Sequence, residues 1–404
     1  MRPVRIIATI SFAVAVAITG CTVHSAAVHS AAAPTPVSST PPPPTTIAAH
    51  RPTSNPPATV PSSPTTTLPL GHIEGLDAVQ AIGGTATAFA VGQGVILTTS
   101  DGGRTWARVW RGPHELYEVD FVSASTGWAL GDGVLLGTVD SGQHWRQLGQ
   151  PRPGPLWRIH FSSRTQGWGV AGDPGQVDER SMMKRDATRL VHTTDGGRIW
   201  SALATPAPPQ TVCFTAPDDG WLASERRVWR STDGGQSWRP SFTLPLPADG
   251  FPFFADLQCA APGAAWVRFD YDHARGHNPY ALYASGDGGA HWRGALAEPG
   301  TLGNVLHLPI GPGTDSGPFS VINSQRAFLL SPTPPAEVTG VVLISHGNQL
   351  RRLPGIPGTT LSNPLSVSFA SATRGWVVGT DRAGQAVLLG TADGGRTWQS
   401  QLRS

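Results

Sequence analysis

Thr99-Ser100-Asp101-Gly102-Gly103-Arg104-Thr105-Trp106 decides the fold, because the chain repeats it. The pattern is Thr or Ser, any residue, Asp, any residue, Gly, two residues, Trp. It returns at Thr138 to Trp145, Thr193 to Trp200, Ser231 to Trp238, Ser285 to Trp292 and Thr391 to Trp398. A degenerate copy, Ser345-His346-Gly347-Asn348-Gln349-Leu350, stands between the last two without the Asp and the Trp. A second motif precedes the copies: Gly127-Trp128-Ala129-Leu130-Gly131, Gly167-Trp168-Gly169-Val170, Gly220-Trp221-Leu222 and Gly375-Trp376-Val377-Val378-Gly379. Ala88-Phe89, Ala265-Trp266 and Ala327-Phe328 are weaker versions. Upstream again lies a short alternating run, such as Tyr117 to Val122 or Leu365 to Phe369.

Each unit therefore predicts four short strands: the alternating run, the Gly-Trp strand, the apolar strand entering the Asp motif, and the strand that starts at its Trp. No segment carries sustained helical periodicity. Four-stranded units recurring every ~47 residues are the signature of a β-propeller, whose closed ring buries both faces of every blade. The expectation is an all-β, seven-bladed propeller of four-stranded blades over residues 73–404. The approximate blades are 74–113, 114–151, 152–206, 207–245, 246–298, 299–356 and 357–404. Six blades is the alternative, if residues 299–356 form something else.

The Asp motif has a structural logic. Asp and Ser/Thr side chains bond nearby backbone groups and fix a turn, glycine permits positive φ, and Trp brings a large apolar face to the gap between sheets. Six copies of one residue set cannot all be one active site. Asp101, Trp106, Asp140, Trp145, Asp195, Trp200, Asp233, Trp238, Asp287, Trp292, Asp393 and Trp398 are therefore read as structural. Cys213 and Cys259 stand eight and seven residues ahead of the Trp of neighbouring units, on their first strands. A disulfide between them and a pair of buried thiols are the two readings; an exported protein can hold the former.

Thr/Ser-x-Asp-Gly-Gly-x-x-Trp is the BNR, or Asp-box, repeat. Combined with Gly-Trp-x-x-Gly, the chain resembles most the propellers of the photosystem II assembly factor family and its bacterial relatives, over about 330 of its 404 residues. Sialidases, sortilin-type receptors and xyloglucanases share the Asp box. The resemblance implies the fold and, from the assembly factors, protein binding across the ring face. It says little of activity.

The amino terminus sets the expected compartment. Arg2 and Arg5, the apolar run Ile6 to Ile18, and Ile18-Thr19-Gly20-Cys21 read as a secretory signal too short to span a bilayer comfortably. Its end resembles a bacterial lipobox, which implies cleavage before Cys21 and acylation of its thiol. Residues 1–20 are then the signal, and residues 21–72 the lipidated cysteine and a Pro/Ser/Thr/Ala-rich linker with almost nothing to bury. At polyproline spacing such a linker reaches about 150 Å. The expected location is exported, anchored by lipid to the cell membrane, with the ring on the extracytoplasmic side.

Composition narrows the partner. The chain has 29 basic and 27 acidic residues, and removing Arg2 and Arg5 leaves 27 of each, without the basic excess of a nucleic-acid binder. Two insertions between second and third strands would rise on one face and carry function. One includes Asp178, Arg180 and Arg185; the other includes Asp270, Asp272, His273 and Arg275. His273 and His277 have metal-ligand character, but their spacing needs a helix that Asn278-Pro279 opposes, so no metal is expected. No cofactor is expected either. The chain lacks a Gly-x-Ser-x-Gly elbow and a phosphate loop, and no catalytic residue is assigned. The leading expectation is an envelope-anchored scaffold that presents its loop face to a protein partner. The alternative is a carbohydrate-active lipoprotein acting on cell-wall or other glycans. Carboxylates converging at the central pocket favour the glycan reading; a charged or aromatic rim favours the scaffold.

Overall fold

The computed structural model describes residues 70, 73–151, 154–172, 188–246, 253–271, 278–298, 304–333, 338–345 and 348–402. The expected signal, Cys21 and all of the expected linker but Leu70 lie outside them. β1 (Leu76–Ala81), β2 (Ala88–Thr99), β3 (Ala107–Phe121), β4 (Gly127–Gly131), β5 (Val134–Thr138) and β6 (Arg146–Gln147) form one six-stranded sheet. β7 (Leu156–Phe161), β8 (Gly167–Ala171), β9 (Arg189–Thr193) and β10 (Ser201–Leu203) form the next. The third holds β11 (Thr211–Phe214), β12 (Gly220–Ser224), β13 (Arg227–Ser231) and β14 (Arg239–Thr243). The fourth holds β15 (Phe254–Ala261), β16 (Ala264–Asp270), β17 (Tyr280–Ser285) and β18 (Arg293–Glu298). β19 (Phe319–Asn323), β20 (Arg326–Thr333), β21 (Val338–Ser345) and β22 (Gln349–Pro357) follow, and β23 (Asn363–Phe369), β24 (Gly375–Thr380), β25 (Ala386–Thr391) and β26 (Gln399–Ser400) complete the ring. Within these sheets the described strands pair antiparallel with their neighbours in sequence, and one parallel bridge joins Ala297 to Ile310.

The expectation of seven separate four-stranded blades is corrected: the propeller has six sheets. The reason is not the one anticipated, since the weak unit around residues 299–356 supplies a full four-stranded sheet. The fusion occurs at the start. β3 runs without a break from its pairing with β2 (Thr98↔Ala107 to Gln93↔Glu115) into its pairing with β4 (Leu116↔Gly131 to Phe121↔Gly127). One continuous strand thus ends the first repeat and begins the second.

The repeated turn is built as its residues suggest. Thr99 Oγ1 donates to Asp101 Oδ1 (2.9 Å) and accepts from Gly103 N (2.9 Å). Asp101 accepts from Thr105 N (3.0 Å) and Thr105 Oγ1 (2.7 Å). Gly102 and Gly103 take φ of 81° and 86°, open to glycine at little cost. These bonds, led by the Thr105 hydroxyl, hold the Asp101 carboxyl down at about 2. The Ser237 hydroxyl does the same for Asp233, and the backbone N–H and ring of His291 for Asp287.

The Gly-Trp motif answers to packing between sheets. Phe161 pairs directly with Gly167, and a Cβ on Gly167 would fall 2.3 Å from the Phe161 ring. Phe121 lies over Gly127, Phe214 over Gly220 and Phe369 over Gly375 in the same way. Each ring is then sandwiched. Trp128 of the preceding repeat stacks on Phe161 at 3.5 Å and 3°, and Trp200 meets it edge-on at 6.0 Å. Trp168 stacks on Phe214, Phe89 on Phe121 and Phe328 on Phe369. Where the strand opposite lacks Phe, alanine replaces the glycine: Cys259 pairs with Ala265, Val321 with Ala327 and Ala81 with Ala88. The variation between Gly-Trp and Ala-Trp or Ala-Phe is thus a record of which aromatic ring lies across the strand.

The ring closes by packing between the first and last repeats. Leu76, Val79, Leu97 and Trp106 share one core with Trp376, Val378 and Leu388. Gln401 Oε1 clasps this seam, accepting from both Trp106 Nε1 (3.0 Å) and Trp376 Nε1 (2.9 Å). Among the described residues no helix is long and apolar enough to cross a membrane.

Candidate functional site

The innermost strands β1, β7, β11, β15, β19, β23 and the second half of β3 line a central channel of about 740 Å³. An innermost strand pairs with its own sheet on one side only, and its other backbone edge needs partners. Polar side chains of the preceding repeat supply them. Gln80 brackets Phe121, accepting from its N–H and donating to its carbonyl. Glu118 accepts from Ile159 N (3.1 Å) and Asp120 from Phe161 N (2.6 Å). His160 Nε2 donates to Phe214 O (2.7 Å). Gln258 donates to Phe319 O (2.8 Å) and accepts from Val321 N (3.2 Å). Ser320 accepts from Phe369 N, and Ser366 and Ser368 accept from Val79 N and Ala81 N to complete the circuit.

Cys213 occupies the place in this belt that Asp120 and His160 hold in theirs: each pairs with the Trp of its Gly-Trp strand. Cys213 and Cys259 are joined by a disulfide, with Cα atoms 5.9 Å apart. At this seam the covalent bond stands where a side-chain bracket and a stacked Phe stand elsewhere. Gln210 adds a second link, accepting from Ala255 N (2.9 Å).

Charge collects towards one end of the channel. Arg158 Nη1 lies 4.0 Å from Asp256 Oδ1, and Arg268 Nη1 4.0 Å from Asp256 Oδ2. Burial inside the ring pushes the Glu118 carboxyl up to about 8, against the pull of Arg158 and with a push from Asp120. Asp120 is raised chiefly by burial. Asp77 rises to about 6 through burial and then the charge of Glu115, and its Oδ2 is buried without a hydrogen bond. Carboxylates therefore do converge on the channel, as the glycan reading requires. Two of them, Glu118 and Asp120, hold the backbone of the next strand. The pairs that glycoside hydrolysis needs must instead face a substrate.

The positions singled out from sequence fall elsewhere. Asp178, Arg180, Arg185, Asp272, His273 and Arg275 lie outside the described residues. Asp270 ends β16 at 7% exposure, bound by Arg268 Nε (2.8 Å) and Nη2 (3.0 Å). It is a buried ion-pair partner and not a displayed loop charge. The Asp turns sit against the turns between first and second strands, as Gly102 N to Ala86 O (3.0 Å) and Gly196 N to Thr165 O (3.0 Å) show. The second-to-third connections lie at the opposite end of the strands. Trp229, which stands outside both repeated motifs, is core at 6% exposure. The described residues hold no group of three or more His, Cys, Asp or Glu side chains arranged for a metal.

The channel residues Asp77, Gln80, Glu118, Asp120, Arg158, His160, Asp256 and Gln258 escaped the sequence reading. Their signal is a polar residue between two apolar ones on each first strand, as in Val79-Gln80-Ala81, Val119-Asp120-Phe121 and Ile159-His160-Phe161.

No protein-family model and no curated protein matches this chain. Solved structures do. One described as YCF48 bound to D1 peptide aligns with a TM-score of 0.51 and 16% identity, over 81% of this chain and 96% of that one. Hydrazine synthase of Kuenenia stuttgartiensis aligns at 0.54 and 8%, over 81% and 99%. U3-55K aligns at 0.52 and 12%, over 76% and 89%. At such identities the likeness is one of fold.

Proposed function

We propose that this protein is an exported, lipid-anchored binding propeller that takes a segment of an envelope protein at the mouth of its channel. The observation that carries the proposal is the division of labour in the channel. The inner wall spends its polar groups on holding the ring, whereas Arg158 and Asp256 form a loose pair at 4.0 Å with side chains 39% and 19% exposed. Such a pair contributes little to stability, so its charges exchange cheaply for those of an incoming chain. A ring of the same fold is described as bound to a peptide, which supports peptide binding here. The resemblance of the segment ending at Cys21 to a lipobox, and the long Pro/Ser/Thr-rich stretch after it, support a ring held away from the membrane.

The test is affinity capture of the tagged full-length protein from detergent-solubilised membranes, beside Arg158→Glu and Cys21→Ala variants. One envelope protein recovered with the wild type and lost with Arg158→Glu is the expected result. Recovery indifferent to Arg158→Glu would move the site off the channel.

The carbohydrate-active alternative keeps one specific observation. A carboxyl held near 8, as Glu118 is, stays protonated at neutral pH, the state a glycosidic acid needs. Cleavage of wall polysaccharide by the soluble ring, abolished in Glu118→Gln with the melting temperature not lowered, would establish that reading over the first.

A further inference from the structure

A second cleft, of about 560 Å³, lies outside the channel beside the point where β3 passes from the first repeat to the second. Its size falls within the roughly 300–1,000 Å³ of small-molecule sites. It is built by an irregularity. Gln93 pairs with Glu115 but Val95 with Arg111, so three residues of β3 bulge outward against one of β2. Gly94, at φ 68°, runs so closely under this bulge that a Cβ there would meet Gly112 O at 2.7 Å. Bulges of this kind re-aim side chains, often at functional sites.

Arg108 and Arg111 line the cleft from one side of the bulge and Glu115 from the other, with Glu74 and Gln93 beside them and Val95 and Pro113 as apolar wall. Arg108 is only 8% exposed. Its Nη1 donates to the Leu70 carbonyl (3.0 Å), but its Nε finds no acceptor among the described residues. A buried guanidinium donor left idle is costly, and a carboxylate is the acceptor that fits its planar fork. Glu115 is exposed on the same cleft, and its charge bears on Asp77 at the neighbouring channel. A purely anionic guest would meet that negative field, whereas an ammonium group would be drawn to it.

We infer that this cleft is a second binding site, for a compact zwitterion of the α-amino acid type. The carboxylate of the guest lies on Arg108 and Arg111, its ammonium towards Glu115, and a small apolar side chain against Val95 and Pro113.

Three matched probes test it on the full-length protein by calorimetric titration: L-leucine, N-acetyl-L-leucine without the ammonium, and L-leucinamide without the carboxylate. Saturable binding of L-leucine is expected, with both relatives at least about tenfold weaker, the scale of one lost charge-assisted contact. Arg111→Gln and Glu115→Gln should each weaken L-leucine by about tenfold. Both residues are exposed, so these variants fold even if Arg108→Gln does not. N-acetyl-L-leucine binding as well as L-leucine would overturn the inference in favour of a simple anion site. Preference for L-leucinamide would overturn it in favour of a cation site. No binding of L-leucine up to about 10 mM, a level that detects even contacts of about −3 kcal/mol, would remove the site altogether.

Discussion

Replacing Gly167 by alanine tests the packing rule that spaces the repeats. An added Cβ would stand 2.3 Å from two atoms of the Phe161 ring, so the ring must yield by about 1 Å to reach ordinary contact. It has nowhere to go. Trp128 covers its far face at 3.5 Å, and Trp200 stands against its edge. Overpacking of this kind costs about 1–3 kcal/mol. The lower entropy of an unfolded chain with alanine gives back about 0.4–1 kcal/mol. The expected net loss is thus about 1–2 kcal/mol, read from the midpoint of guanidinium unfolding at constant slope. The decisive variant adds Phe161→Val, copying the Val321 and Ala327 pair of another repeat. Phe161→Val alone costs a few kcal/mol through its cavity. In its presence Gly167→Ala should cost nothing further, a coupling of at least about 1 kcal/mol between the two sites. A Gly167→Ala protein as stable as wild type, or two losses that simply add, would refute the reasoning.

Four other perturbations follow from the same contacts. The Cys213–Cys259 bond closes a loop of 46 residues, for which chain entropy gives about 4 kcal/mol; Cys213→Ala with Cys259→Ala should lower the unfolding free energy by that order, and mild reductant should move wild type but not the variant. Gln401→Leu removes the acceptor shared by Trp106 and Trp376 and should cost about 1–3 kcal/mol, with hydrogen exchange rising first in β1 and β24 at the closing seam. Asp195→Ala frees the Thr193 hydroxyl and the N–H groups of Arg198 and Ile199; a loss of about 1–2 kcal/mol is expected, with partner capture unchanged. Glu118 and Asp77 carry folded values raised to about 8 and about 6, so the stability they confer is full below their unfolded values near 4 and fades as pH rises through 6 and 8. Asp101, Asp233 and Asp287, lowered to about 2, act in the other direction only below about pH 4. Melting temperature should therefore peak near pH 4–5 and decline to pH 8, and Glu118→Gln, which keeps an acceptor for Ile159 N, should flatten that decline.

Several of these contacts were legible before any coordinates. The Asp turn is local: its donors and acceptors lie within four residues, so Thr99, Asp101, Gly103 and Thr105 announce their own geometry. Phe161 and Gly167 stand six residues apart on paired strands, and the same spacing recurs at Phe121 and Gly127, Phe214 and Gly220, and Phe369 and Gly375. That signal was present but silent, because nothing in a single strand says which ring covers which glycine. The binding candidates fared differently. Asp270 reads as a loop charge because it borders an insertion, yet Arg268 two residues away folds back on it and buries both. Glu118 and Asp120 read as ordinary strand residues, because their partners, Ile159 and Phe161, are 41 residues distant and meet them only across the gap between sheets.

By itself the sequence determined the repeat, its four strands, the Asp turn and the all-β ring, since each follows from residues a few positions apart and recurs often enough to be certain of its period. The tertiary structure alone decided the rest. A continuous β3 joins two repeats into one sheet because residues 112–114 are too few to turn the chain away and instead bulge within the strand. The channel, its belt of brackets, the disulfide that replaces one of them and the cleft at the bulge all arise between repeats, where chain separation carries no information and only closure of the ring brings the residues together.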